Sequence, residues 1–315
     1  MPFDFILFRK EEFLMFDVSK KNKFDSAIII GIFILVITLI VYYICNALDL
    51  GGISIIIALT ISILSAWGSY YYSDKIVLKL NNARPATRDE DLKLTNILDA
   101  LMIASGLPNK PKLYVVNDNQ PNAFATGRNP ENAVICVTTA LLDKLDYYEL
   151  EGVIAHEMSH IKNYDIRLSC VVSVMVGFIV MLSDMFSRWI FWGGSRRRNS
   201  DRESGNGILM IIGLICLILS PIFGSLMQLA LSRKREFLAD STAVEFTRNP
   251  DGLISALTKL ENDPNQLETA NSATANMYII NPFKKNTNEG KKKTSSIWST
   301  HPSTEARIEA LKKLK

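Results

Sequence analysis

Several things are scarce in this chain, and each scarcity excludes something. Four cysteines are too few and too scattered for a disulfide framework: Cys45, Cys170 and Cys216 fall in apolar runs and Cys136 in a predicted strand. None stands at metal-ligand spacing, so all four read as buried thiols. A net charge of +3 is too small to imply a nucleic-acid partner, and the basic residues sit beside apolar runs instead of lining one face. No internal repeat is visible. Residues 1–26 carry Glu11 and Glu12 as well as Arg9, Lys10, Lys20, Lys21 and Lys23. That is unlike the short basic start of a cleavable signal, and a signal anchor is expected. Histidine is the scarcest functional residue, with only three in 315 residues.

Apolar residues are abundant: 48% of the chain is hydrophobic and the mean hydropathy is +0.13. The excess is clustered. Runs 27–45 and 53–72 are free of charge and about 20 residues long, enough to cross a bilayer as helices. The connection 46–52 has room only for a turn, so 27–72 reads as a transmembrane hairpin. A second pair is less clean. Run 168–183 is followed by Asp184 and Arg188, and 207–231 is interrupted by Pro221 and Gln228. About four transmembrane or membrane-associated helices are therefore expected. Residues 1–26 mix Phe3, Phe5, Phe8, Phe13 and Phe16 with charge, and fit either an interfacial amphipathic helix or a plain anchor flank. Lys75, Lys79, Arg84 and Arg88 follow the second run while the turn has no Lys or Arg. Both ends of the hairpin should then face the cytoplasm.

From Thr87 the sequence changes character. Thr87-Arg88-Asp89-Glu90 resembles a capping box, and Leu94, Ile97, Leu98, Leu101 and Met102 follow at helical spacing until Gly106 and Pro108. Residues 112–116, 123–126 and 133–137 read as short strands, the last two separated by the turn-forming 127–132. Helices are predicted at 139–145, from Tyr147 onward, at 233–247, at 253–260 and at 305–314. Residues 262–297, rich in Asn, Thr and Lys, read as a long mobile loop. The fold class is thus mainly α with a small β-sheet. Five stretches follow: the flank 1–26, the hairpin 27–72, a first catalytic part 73–167, the second apolar pair 168–231, and a second catalytic part 232–315.

Two of the three histidines stand in His156-Glu157-Met158-Ser159-His160. Positions i and i+4 share one face of a helix, so both imidazoles reach one ion, while Glu157 leans off that line toward a water. Asp146 and Glu149 cap this helix, and Leu150, Val153, Ile154 and Met158 form its apolar stripe. Two metal-binding histidines with an adjoining glutamate as general base make a zinc peptidase site. A catalytic zinc takes a third protein ligand. The candidates are His301, the last histidine, and Glu236, in Glu236-Phe237-Leu238-Ala239-Asp240. Asp240, one turn on, is spaced to accept a hydrogen bond from a ligand histidine and fix its tautomer. The two halves of such a site meet only if the apolar pair between them crosses an even number of times, or dips and returns. Arg196, Arg197, Arg198 and Arg202 in its connecting loop conflict with two full crossings and favour a tilted or partial hairpin. The eight residues from His160 to Leu168 span about 12 Å of helix, which sets the metal near the membrane.

The order of these motifs resembles the HtpX-type membrane zinc endopeptidases, relatives of the CAAX prenyl proteases. Two further pieces match: Asn122-Ala123-Phe124-Ala125, and Thr300-His301-Pro302-Ser303-Thr304-Glu305-Ala306-Arg307-Ile308. The resemblance implies one Zn2+ per chain held by His156, His160 and Glu236, with Glu157 as the catalytic base and Asp240 behind a histidine ligand. It further implies that His301 steadies the oxyanion and that Arg307 is a structural partner in the site. Asn122, Ala123, Phe124 and Ala125 would be the edge strand that aligns a polypeptide substrate. The expected setting is a multi-pass protein of the cell membrane, with its catalytic part cytoplasmic and misfolded or damaged membrane proteins as substrates. The rival readings are a non-catalytic zinc-stabilised membrane scaffold and a prenyl-type protease. Glu157 argues against the first, and four apolar segments, fewer than the prenyl proteases have, against the second.

Overall fold

One uninterrupted helix, α1 (Phe3–Ala47), carries both the charged flank and the first apolar run in the computed structural model, which describes residues 3–47, 50–178, 233–269, 273–283 and 302–315. After a turn at Gly51–Ile53, α2 (Ser54–Tyr71) returns alongside it. Ser54, Ala58, Ser62 and Ala66 recur every fourth residue and are all buried. Such small side chains let two helices approach closely in an apolar setting. Thr38 and Ser62 share a buried hydrogen bond of 2.7 Å across the pair. Val18–Tyr43 and Gly51–Tyr71 are the two stretches, among the described residues, long and apolar enough to cross a membrane. Of the second apolar pair, everything beyond residue 178, with Asp184, Arg188 and the arginine-rich loop, lies outside the described residues.

The short α3 (Ser73–Leu80) leads to a two-residue strand β1 (Arg84–Pro85) and then α4 (Arg88–Ser105). The expected capping box is present: Glu90 accepts from the Thr87 backbone amide at 2.7 Å. Gly106 ends the helix at φ 65°, a left-handed conformation that glycine adopts without cost. Strands β2 (Lys112–Val116), β3 (Ala123–Thr126) and β4 (Val134–Thr138) complete a mixed sheet of order β1-β2-β4-β3. β3 pairs antiparallel with β4 through Ala123 opposite Val137 and Ala125 opposite Ile135. β3 is therefore an end strand of the sheet.

Helices α5 (Thr139–Lys144) and α6 (Tyr147–Lys162) follow, then helical residues 165–178, called α7. α8 (Arg233–Thr247), α9 (Pro250–Asn262) and α10 (Thr304–Lys312) close the fold. One core joins the inner faces of α4, α6, α8 and α9 to the sheet through Leu94, Leu98, Ile135, Leu150, Ile154, Met158 and Leu257, none more than marginally exposed. At its centre α6 and α9 meet backbone to backbone. A β-carbon on Gly152 would stand 2.9 Å from the Leu253 nitrogen, and one on Gly252 would stand 2.5 Å from the Tyr148 carbonyl.

The stretch expected to be a mobile loop differs where it is described. Tyr278, Ile279 and Ile280 are buried, and the Tyr278 ring meets Phe124 edge to face at 4.9 Å. The polar composition of the flanks hid a short apolar run that packs against the sheet. Residues 284–301 lie outside the described residues.

Candidate active site

α6 is fixed at its start by the expected box. Asp146 accepts from the Glu149 amide at 3.0 Å, and Glu149 accepts in return from the Asp146 amide at 2.9 Å. Glu149 also takes hydrogen bonds from Ser255 and Lys259 of α9, both at 2.6 Å, which ties the two helices together below their glycine crossing. The far end of α6 carries His156, Glu157 and His160, and α8 brings Glu236 and Asp240 opposite them. α10 supplies Arg307 from behind.

Ligand-type atoms of His156, His160 and Glu236 all lie within 4.8 Å of one another. The two Nε2 atoms are 3.2 Å apart, and Glu236 oxygens stand 3.8 Å from His156 Nε2 and 3.7 Å from His160 Nε2. Tetrahedral bonds of about 2.0–2.1 Å would set such donors roughly 3.3 Å apart, so the set needs little adjustment to close on a zinc-sized ion. The outer ring nitrogens are both spoken for. His156 Nδ1 lies 3.0 Å from Asp240 Oδ1, and His160 Nδ1 lies 3.0 Å from Asp165 Oδ2. Donation from each Nδ1 turns both Nε2 lone pairs on each other, which repels unless a cation or proton sits between them.

Asp240 is in turn gripped by Arg307, Nε to Oδ2 at 2.8 Å and Nη2 to Oδ1 at 2.6 Å. This bidentate pair is buried at both ends. Arg307 Nη1 also donates to the Ile279 carbonyl at 3.2 Å, and it lies 3.8 Å from Glu236. The contact of Arg307 Nη2 with the His156 ring, 3.4 Å from either nitrogen, is packing, since Nδ1 already donates to Asp240.

Electrostatics sort these groups. Burial pushes the Glu157 carboxyl up to about 7, with the Glu236 charge adding to it while His160, Arg307 and the Ala125 amide pull the other way. His156 is pushed down to about 4 by burial and by the Arg307 charge. Burial works against a charged His160 too, but Asp165 and Glu236 outweigh it and raise that imidazole to about 9. Despite burial, the Arg307 pair holds Asp240 below the ordinary carboxylate range. The arrangement is three donors on one point plus a fourth group, the Glu157 carboxyl, left outside the set with an affinity for protons near neutrality.

A family model, that of peptidase family M48, matches residues 88–315. The chain belongs to peptidase family M48. As an M48 member it is a metalloprotease, acting on polypeptides. Its relatives include the "Protease HtpX homolog" of Dictyoglomus thermophilum, 42% identical over 300 residues and covering 95% of both chains. The protein of the same name from Caldanaerobacter subterraneus is 42% identical over 301 residues, 95% of this chain and 98% of that one. Among solved structures, S. mikatae Ste24p is similar at 17% identity with a TM-score of 0.48, over 94% of this chain and 66% of that chain.

For the M48 chain, the structure brings His156, His160, Glu236, Asp240, Glu157 and Arg307 into one cluster. His301 lies outside the described residues. Ala123, Phe124 and Ala125 lie in the outer strand β3 beside the cluster, with Asn122 just before it, but part of that edge is already taken. Ile279 donates its amide to the Ala123 carbonyl at 3.0 Å, and the Asn122 side chain bonds Ile280 at its carbonyl (2.9 Å) and its amide (3.3 Å). Ala125 remains beside Glu157 in the cleft wall. Asp165 is the site residue that sequence reasoning passed over. Its signal was a carboxylate five residues beyond the second histidine, just past the helix end.

Proposed function

We propose that this chain is a membrane-embedded zinc endopeptidase that hydrolyses peptide bonds of misfolded or damaged membrane proteins on the cytoplasmic side. The single observation that carries the reading is that two imidazoles and the Glu236 carboxylate converge while Glu157 stays out of the ligand set. A non-catalytic metal site has no use for that fourth group.

His156, His160 and Glu236 would hold the zinc. When bound, zinc supplies Lewis acidity, polarising the scissile carbonyl and making water acidic enough to ionise near neutral pH. Glu157 takes the proton from the attacking water and delivers it to the departing amine, a role matched by a carboxyl lifted toward neutrality. Asp240 and Asp165 hold the two imidazoles in the tautomer with Nε2 facing the cleft. His301 is the proposed donor to the developing oxyanion. The substrate backbone is proposed to lie along β3, the strand holding Ala123, Phe124 and Ala125, with Asn122 before it. Strand addition of this kind reads main chain more than side chain and suits broad specificity. Two apolar helices long enough for a bilayer support the membrane setting. The positive residues around them support a cytoplasmic catalytic part, and the meeting of His156 and His160 with Glu236 supports a multi-pass topology in which the second apolar pair returns to its starting side.

The test uses the detergent-purified full chain. Wild type should contain one zinc per chain and digest casein, with loss on chelation. Glu157→Gln keeps the shape but not the base, so it should retain the zinc and lose about 10²–10⁴-fold in rate. Equal cleavage by Glu157→Gln, or full zinc in Glu236→Ala, would sink the assignment.

A further inference from the structure

Asn22 stands in α1 between Lys21 and Lys23, about one turn before the apolar run. A polar residue in a basic flank is ordinarily solvated, yet Asn22 is 2% exposed. Every arm of its amide is used. Nδ2 donates to Asp165 Oδ1 at 2.7 Å and to the Asn163 carbonyl at 2.9 Å, while Oδ1 accepts from Arg235 Nη1 at 3.1 Å. The other oxygen of Asp165 is the one that meets His160 Nδ1. Arg235 directly precedes Glu236 and comes within 3.5 Å of Asp165. The next residue of α1 joins in: Lys23 Nζ lies 3.9 Å from the centre of the Tyr164 ring. Tyr164 has φ 59°, a left-handed conformation that a side-chain-bearing residue keeps only when its surroundings impose it. The turn between α6 and α7, residues 163–164, is thus clamped from α1, and Asp165 opens α7 directly after it.

We propose that Asn22 is a positioning residue of the metal site: through Asp165 it sets the tautomer and direction of His160. α1, which also supplies the first apolar run of the hairpin, is then part of the metal-binding apparatus and not only its anchor. The inference rests on the reading of His156, His160 and Glu236 as zinc ligands. Partners behind metal ligands commonly control affinity by about 10–100-fold. Asn22 acts through one such partner, and its removal should cost about 10-fold.

The experiment measures zinc affinity of the full chain in detergent by competition with a chromophoric chelator, alongside melting of the metal-free protein. Asn22→Asp keeps the shape, loses the donor and sets a second carboxylate against Asp165. Asn22→Ala removes the contact without adding charge. Both should bind zinc about 10-fold more weakly, Asn22→Asp the worse of the two, as should Asp165→Asn. Thr38→Ala, which removes a hairpin hydrogen bond far from the turn, should lower the melting temperature and leave zinc affinity alone. If Asn22→Ala melts lower but binds zinc within about twofold of wild type, Asn22 is merely structural and the proposal is overturned. If wild type itself takes up no zinc, the metal-site reading fails, and this proposal with it.

Discussion

Replacing Arg307 with methionine probes how the cluster behind the metal site is held together. Arg307 and Asp240 are each 2% exposed and are joined by charge-assisted bonds of 2.6 and 2.8 Å. Removing one partner of a buried pair strands the other charge, and the usual cost is about 3–5 kcal/mol. His156 moderates this here. Its Nδ1 is 3.0 Å from Asp240, so once the Arg307 charge is gone the imidazole can take up a proton and neutralise the carboxylate. The lower end, about 3 kcal/mol, is therefore expected for Arg307→Met. At roughly 2–4 °C per kcal/mol for a domain of this size, that is a melting temperature about 6–12 °C lower. The assay is thermal unfolding of the chelator-treated protein in detergent, followed by tryptophan fluorescence, so that metal loss does not contribute. The double variant Asp240→Asn with Arg307→Met leaves no stranded charge and should recover at least about 1 kcal/mol over the single one. A single variant that melts within about 2 °C of wild type would refute the reasoning. So would a double variant whose loss equals the sum of the two single losses.

The remaining expectations concern the scaffold. Arg84 grips both oxygens of Glu90 at 2.8 Å, and that hydrogen-bonded pair holds the Glu90 carboxyl down at about 2. A depressed carboxylate adds stability that is complete above its unfolded value of about 4.3 and is lost as pH falls toward the folded value. Discounted for its partial exposure, Glu90→Gln should cost about 1 kcal/mol at pH 7, and its deficit should shrink between pH 5 and pH 3; a pH-independent deficit would count against the pair. Gly152→Ala forces a β-carbon to 2.9 Å from the Leu253 backbone nitrogen. Overpacking of that sort costs about 1–3 kcal/mol, read as a lower melting temperature, whereas an unchanged melt would mean the two helices part freely.

Much of this was legible because it depends on local periodicity. The spacing of His156 and His160, and of Glu236 and Asp240, is helix geometry, and it translates directly into shared faces. β2 and β3 fall where alternating apolar residues and turn formers set them, and β4 lies one residue later than expected, at Val134–Thr138. What was illegible depends on the third dimension. Asp165 and Asn22 are short polar side chains, one at the start of a helix just after a turn and one among lysines. Nothing local separates them from solvated residues until residues more than 140 positions apart are brought together. α3 escaped notice because eight residues give too little period to read. Tyr278, Ile279 and Ile280 escaped because Asn, Thr and Lys dominate the stretch around them.

The crowding along the end strand carries a consequence for whatever is cut. Ile279 already occupies the outward carbonyl of Ala123, and the Asn122 amide closes over Ile280. A polypeptide on the proposed path beside Glu157 has little left to pair with beyond Ala125, whose amide already meets Glu157. One hydrogen-bonded rung is worth about 1 kcal/mol net, far too little to hold a chain in place. On the proposed path, residence time in the cleft would therefore rest on contacts beyond this backbone edge, among them tethering of a membrane-borne target in the same lipid sheet.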